Sequence, residues 1–112
     1  MIYTITRLCP IVRWYLNEEE DRFFKRERYE HDCVGYFNYF SDAIEFVESD
    51  AGRELVECLY DYLVIESCLE GIQRYSPSDY NQWWYKYNDV SKKWEYVEET
   101  PKQFYGTVGF AM

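Results

Sequence analysis

Residues 81–99 read NQWWYKYNDVSKKWEYVEE, six aromatic side chains in nineteen positions. Two readings compete for this stretch. As a hairpin, Trp83, Tyr85 and Tyr87 share one face, Trp94 and Tyr96 share a face of the returning strand, and NDVSK makes the loop. As a helix, Tyr80, Trp83, Trp84 and Tyr87 fall at i, i+3, i+4, i+7 behind an Asp79 cap. Aromatic residues suit a pleated strand and Asn88-Asp89 suits a turn, so composition favours the hairpin. One face of that hairpin then closes the core against helices. The other, with Trp84, is left for solvent or a protein partner.

Upstream, IYTITRL (2–8) alternates apolar and polar residues as a first strand, which Pro10 ends or leaves at a sheet edge. IVRWYL (11–16) continues it after a kink or bulge. NEEED (17–21) is a polar turn, and a second strand runs from about Phe23 to Phe40, interrupted near Gly35. Arg22, Lys25, Arg26 and Arg28 lie next to the acids of this hairpin, and exposed pairs of that kind add little stability. Ser41 reads as a helix N-cap with Asp42 in the first turn. The stripe Ala43, Ile44, Phe46, Val47 and the stripe Leu55, Val56, Leu59, Tyr60 point in opposite directions on one continuous helix. A break at 50–52 repairs this, with Asp50 capping a new start and Gly52 weakening the helix. Two short helices, or one sharply kinked helix, therefore cover 42–60. DYLVIESCLE (61–70) is a strand with Leu63, Ile65, Ser67 and Leu69 on one face and Val64, Glu66 and Cys68 on the other. Gly71 stops it, SPSD (76–79) makes a turn, and Pro101 ends the last strand. The tail QFYGTVGFAM alternates Phe104, Gly106, Val108 and Phe110 and is apolar enough to pack. The expectation is a single small α+β domain over 1–112: an antiparallel sheet of four to six strands with the helical segment on one face.

A chain of 112 residues suits one domain with one modest core. Hydrophobic residues make up 47%, a globular value that argues against wholesale disorder. Aromatics at 21% are more ring than so small a core readily encloses, which points some of them at an interface. The net charge of -9 lacks the cationic footprint of a duplex binder, so direct nucleic-acid binding is disfavoured and basic partners are favoured. The four cysteines show no C-x-x-C spacing, and no signal peptide or apolar run of spanning length is present. These features predict a cytoplasmic protein with free, mostly buried thiols.

Catalytic patterns are sparse. His31 and Cys33 lie on one strand face, but adjacent positions of this type are usually structural. The cysteines and the single histidine have no zinc spacing, and EEED lacks a calcium-loop pattern. No phosphate-binding glycine loop or nucleophile elbow is present. The expectation is a non-enzymatic chain without cofactor or metal. Its most uneven feature is charge placement. Residues 42–70 hold nine acids and one base, Arg53. Asp42, Glu45 and Glu48 line one side of a helix, and Glu54, Glu57 and Asp61 line another, with Asp50 at the break. Like charges at this spacing repel. A solvated surface tolerates that, and so does a surface shaped for a basic partner.

The layout with YFSDAIEFVES opening a helix, DYLVIESCLEGI as a strand and WWYKYN…KWEYVEETPKQFYGTVGFAM to the end resembles small uncharacterised proteins encoded by bacteriophages and mobile elements of gut Firmicutes. The likeness rests on the strand ending in EGI, the hairpin and the terminal GxxxFAM segment, across the C-terminal half. It implies an anti-defence context, including anti-CRISPR-type inhibitors of nucleases acting in the bacterial host cell. Three readings follow. The leading one is an acidic protein-binding module that docks on the basic nucleic-acid channel of a host nuclease through Asp42, Glu45, Glu48, Asp50, Glu54, Glu57 and Asp61. The second is self-assembly, as in a homo-dimer, through exposed Trp84 and Trp94. The third is single-strand binding through the 82–98 hairpin.

Overall fold

The structure, a computed structural model, describes residues 1–17, 19–20, 22–56, 61–68, 81–105, 107 and 110, except the side chains of 11–17 and 23–28. Five antiparallel strands form one sheet in the order β2-β1-β3-β4-β5. They are β1 (Ile2–Asn17), β2 (Arg22–Phe37), β3 (Tyr62–Cys68), β4 (Asn81–Asn88) and β5 (Lys93–Val97). Two short helices, α1 (Phe40–Glu48) and α2 (Asp50–Arg53), and a 3₁₀ turn (Glu54–Val56) cover one face. The chain is the expected α+β domain, and 81–99 is the hairpin.

β1 does not stop at Pro10. Its pairing with β3 ends at Leu8–Tyr62, so Pro10 lies where β1 has a single strand neighbour and a missing N–H removes little from the ladder. From Cys9–Glu30 outward, β1 and β2 leave the sheet as a two-stranded ribbon. The irregularity expected near Gly35 is a β-bulge: Ile5 pairs with Gly35 but Thr6 pairs with Cys33, which leaves Val34 as the extra residue.

The helix break is real, and its chemistry differs from the expectation by a residue or two. α1 begins at Phe40 behind Tyr39, not behind Ser41, and no side chain caps it. Ser49, rather than Asp50, caps α2: its Oγ accepts from the Gly52 N–H at 3.2 Å and donates to the Phe46 carbonyl at 2.5 Å. Gly52 is buried where the two helices meet, and a Cβ there would lie 2.1 Å from the Phe46 carbonyl oxygen. Residues 57–60, the expected end of the helical segment, lie outside the described residues, as do 69–80.

Both faces of the sheet are covered. On the helical side Ile5, Leu63, Ile65, Tyr85 and Trp94 pack against Ala43 and Val47. On the other side Leu8, Val64 and Trp84 pack against Phe104 and Phe110 of the C-terminal segment. β3, the central strand, is buried from Leu63 to Cys68, including Glu66. The Glu66 carboxylate accepts from Gln82 Nε2 at 3.0 Å and from the Phe110 N–H at 2.8 Å, so it holds the C-terminal segment against the sheet. Hydrogen bonding of this kind is what makes a buried carboxylate tolerable.

Candidate functional site

Helix α1 owes its orientation to Ala43 and Val47, four residues apart and fully buried, with Phe40, Ile44 and Phe46 half-buried beside them. The 100° turn per residue then carries Asp42, Glu45 and Glu48 to the outer side, where all three are exposed. Asp50 and Glu54 are exposed on the segment that follows. The only base from Phe40 to Val56 is Arg53, and its guanidinium pairs with Asp50. Five of the expected acids are thus brought together on the outside of the helical layer.

The electrostatics are unrelieved at one end. Glu48 is the last residue of α1, and no basic residue stands in that last turn. A helix C-terminus already carries partial negative charge, so an acid there opposes the dipole by ~0.3–1 kcal/mol. The Asp42–Glu45–Glu48 spacing adds like-charge repulsion. The effect reaches the sheet. The Tyr85 hydroxyl is pushed above the ordinary phenol value by burial first, then by the charge of Glu48 and by Tyr96.

Two clefts flank this row. One of about 330 Å³ is shallow and lined by Phe37, Asp42, Glu45, Phe46 and Ser49. The Phe37 and Phe46 rings lie 5.6 Å apart in its floor. The other, about 390 Å³, is lined by Val47, Glu48, Arg53, Lys93 and Trp94. A carboxylate pair above two rings offers charge to a cationic head and an apolar wall to its methylene stem. Phe46 was findable from helical spacing, since it is one turn from Asp42. Phe37 had no local signal, because only the fold brings β2 beside α1.

Other expectations are corrected. Asp61 is not on a helical face. It is half-buried at the start of β3, where its N–H donates to Leu8 O at 3.2 Å and its carbonyl accepts from Tyr87 N at 3.0 Å. Glu57 lies outside the described residues. Trp84 and Trp94 are core residues, 1% and 6% exposed, and not surface rings. Trp84 is covered because the chain after Pro101 folds back and stacks Phe104 on it, 4.8 Å between centroids and 9° between planes. Trp94 is held inside by its Nε1–H, which donates to the Gly52 carbonyl at 2.9 Å and ties the hairpin to the helix break. Glu66, counted with the acidic segment, is wholly buried and adds nothing to the outer face.

His31 and Cys33 are both exposed; the imidazole meets the Phe110 ring at 6.0 Å and the Cys33 Sγ lies 3.6 Å from Gly35 O. Among the described cysteines Cys9 is half-buried, Cys33 exposed and Cys68 buried, and Cys58 lies outside the described residues. Among the described residues no group of three or more His, Cys, Asp or Glu is placed to hold a metal ion. No helix among them is long and apolar enough to cross a membrane. Compared with family models, with curated proteins and with solved structures, the chain matches none.

Proposed function

We propose that this chain is a non-enzymatic protein-binding module whose outer helical face, Asp42, Glu45, Glu48, Asp50 and Glu54, docks on a basic surface of its partner. In its most concrete form it is an anti-defence inhibitor that occupies the basic nucleic-acid channel of a CRISPR-type nuclease in the bacterial cytoplasm. The observation that carries this reading is the placement of exposed acids along α1 up to its C-terminal end, where the dipole opposes Glu48 and the last turn holds no base. Stability alone would favour a lysine at Glu48. A basic channel gives the acids of α1 counter-charge that their own helix does not supply and speeds encounter by steering. The burial of Trp84 and Trp94 weighs against single-strand stacking on the hairpin, which needs exposed rings over a positive groove.

The test is inhibition and capture of purified CRISPR nucleases by the wild-type chain and by Asp42→Lys/Glu45→Lys/Glu48→Lys. The variant is expected to lose binding while its urea midpoint stays level or rises slightly. Binding by the wild type is expected to fall steeply with salt. Equal binding by the variant would refute the acidic face as the docking surface.

A further inference from the structure

β2 is an edge strand of sixteen residues with no strand on its outer side among the described residues. An edge this long is a template for pairing with another chain unless something blunts it. Between Arg22 and Phe37 there is no proline, and the single bulge sits near one end, at Val34. Glu30, His31, Asp32 and Cys33, four consecutive strand residues, are all exposed.

The charge order along this strand is self-complementary. Around Tyr29 the sequence reads Arg26, Glu27, Arg28, Tyr29, Glu30, His31, Asp32. Every charged residue before Tyr29 has a partner of opposite or titratable character at the same distance after it. We infer that the chain forms a two-fold dimer in which the outer edges of β2 from two copies pair antiparallel about Tyr29, making one continuous sheet. Arg28 then stands opposite the second copy's Glu30, Arg26 opposite its Asp32, and Glu27 opposite its His31. The two-fold doubles each pair. The register runs as far as Cys33, which stands opposite Lys25; the bulge at Val34 ends it there.

The pleat makes this register selective. A two-fold antiparallel pair keeps each face of the sheet continuous, so slips are allowed only in steps that preserve side-chain parity. One allowed slip sets Arg28 against Arg28, and the other sets Glu30 against Glu30. Of these three registers only the one centred on Tyr29 has no like-charged pair opposite. Asp32 can take part while held by Arg7, because both Arg7 bonds go to Oδ2, at 3.1 and 2.9 Å, and the carboxylate side remains 51% exposed. Tyr29 fixes the centre from inside, with its ring against Phe104 at 4.8 Å and Tyr62 at 6.3 Å.

The experiment is sedimentation equilibrium of the full chain over a concentration series at low and high salt. The wild type is expected to be a dimer that high salt weakens. Arg28→Glu and Glu30→Arg each bring two like-charged contacts into the pairing, and each is expected to dimerise ~100-fold more weakly. An equimolar mixture of these two variants is expected to recover the dimer, since each supplies the charge the other lacks. The double variant Arg28→Glu/Glu30→Arg is expected to recover it alone. Hydrogen exchange on the wild type gives a second reading independent of folding in the variants: alternate β2 amides lose protection on dilution. A wild type that stays monomeric throughout, dimeric single variants, or a mixture that fails to associate would each overturn the proposal. None of these outcomes bears on the acidic-face docking.

Discussion

Phe104 carries the burial of the second sheet face, and removing its ring tests that arrangement directly. The side chain is 5% exposed. It stacks on Trp84 at 4.8 Å and meets Tyr29, Tyr62 and Phe110 edge-on at 4.8, 5.5 and 5.9 Å. In Phe104→Ala the lost transfer energy of the ring is ~2–3 kcal/mol. Lost ring pairs and the residual cavity add ~1–2 kcal/mol. The sum, about 3–5 kcal/mol, is a large share of the ~5–15 kcal/mol that holds a domain together. With a urea slope of ~2 kcal/mol per molar, the midpoint should fall by roughly 2 M. Phe104→Leu keeps much of the volume and should lose about 1–2 kcal/mol. Urea unfolding followed by tryptophan fluorescence reads both, and Trp84 reports its altered neighbour in the native baseline as well. A midpoint shift below ~0.3 M for the alanine variant would refute the packing of the C-terminal segment on Trp84.

Other perturbations follow from the helix break and from Cys9. Gly52→Ala would press a Cβ into backbone atoms of Phe46 and Val47 at 2.1–2.8 Å, and should destabilise by about 3 kcal/mol or more in urea unfolding. Trp94→Phe keeps an aromatic ring but removes the indole donor to the Gly52 carbonyl, which keeps only the Glu54 N–H, a loss of ~0.5–1.5 kcal/mol by the same assay. Burial, then the charges of Glu30 and Asp61, raises the Cys9 thiol above its ordinary value. The folded chain therefore keeps this proton longer than the unfolded chain. The resulting stabilisation is complete below the unfolded thiol value and is lost as pH rises through the folded one. Alkylation of Cys9 by iodoacetamide, followed by mass spectrometry against pH, should show a midpoint above that of a model thiol, and Glu30→Gln should lower it.

Alternation and periodicity report what lies within one element, and those features were legible. The opposed stripes around Val47 and Leu55 require a break in the helix, and the break is there. The Trp83-Tyr85-Tyr87 face marks the hairpin, and Gly35 marks the bulge. What depends on a distant segment was not legible. Trp84 looked like a surface ring because nothing within 81–99 covers it; its cover comes from Phe104 and Phe110. Glu66 looked like one more acid, because the donors that admit it to the core are on β4 and at Phe110. Asp61 fitted a helical spacing with Glu54 and Glu57, yet the chain is already entering β3 there. The caps went to Tyr39 and Ser49 rather than Ser41 and Asp50, an error of the size expected where several polar residues compete for one helix end.

The acidic face and the proposed edge pairing are geometrically compatible, and that compatibility has a consequence. The two-fold of an antiparallel edge pair is perpendicular to the sheet, so both helical layers lie on the same side of the joined sheet. The docking face proposed above is the outer side of α1 and α2, above one face of the sheet, whereas pairing uses the in-plane edge of β2 around Tyr29 and so leaves that side open. A dimer then offers two acidic rows to one side, and an elongated basic partner can engage both. The second contact becomes intramolecular, which raises apparent affinity without any new side-chain contact. Arg28→Glu lies outside the acidic face. Under the pairing proposed here it should therefore weaken binding to an extended polycation more than to a short one. Equal loss for both lengths would mean that each acidic face works alone.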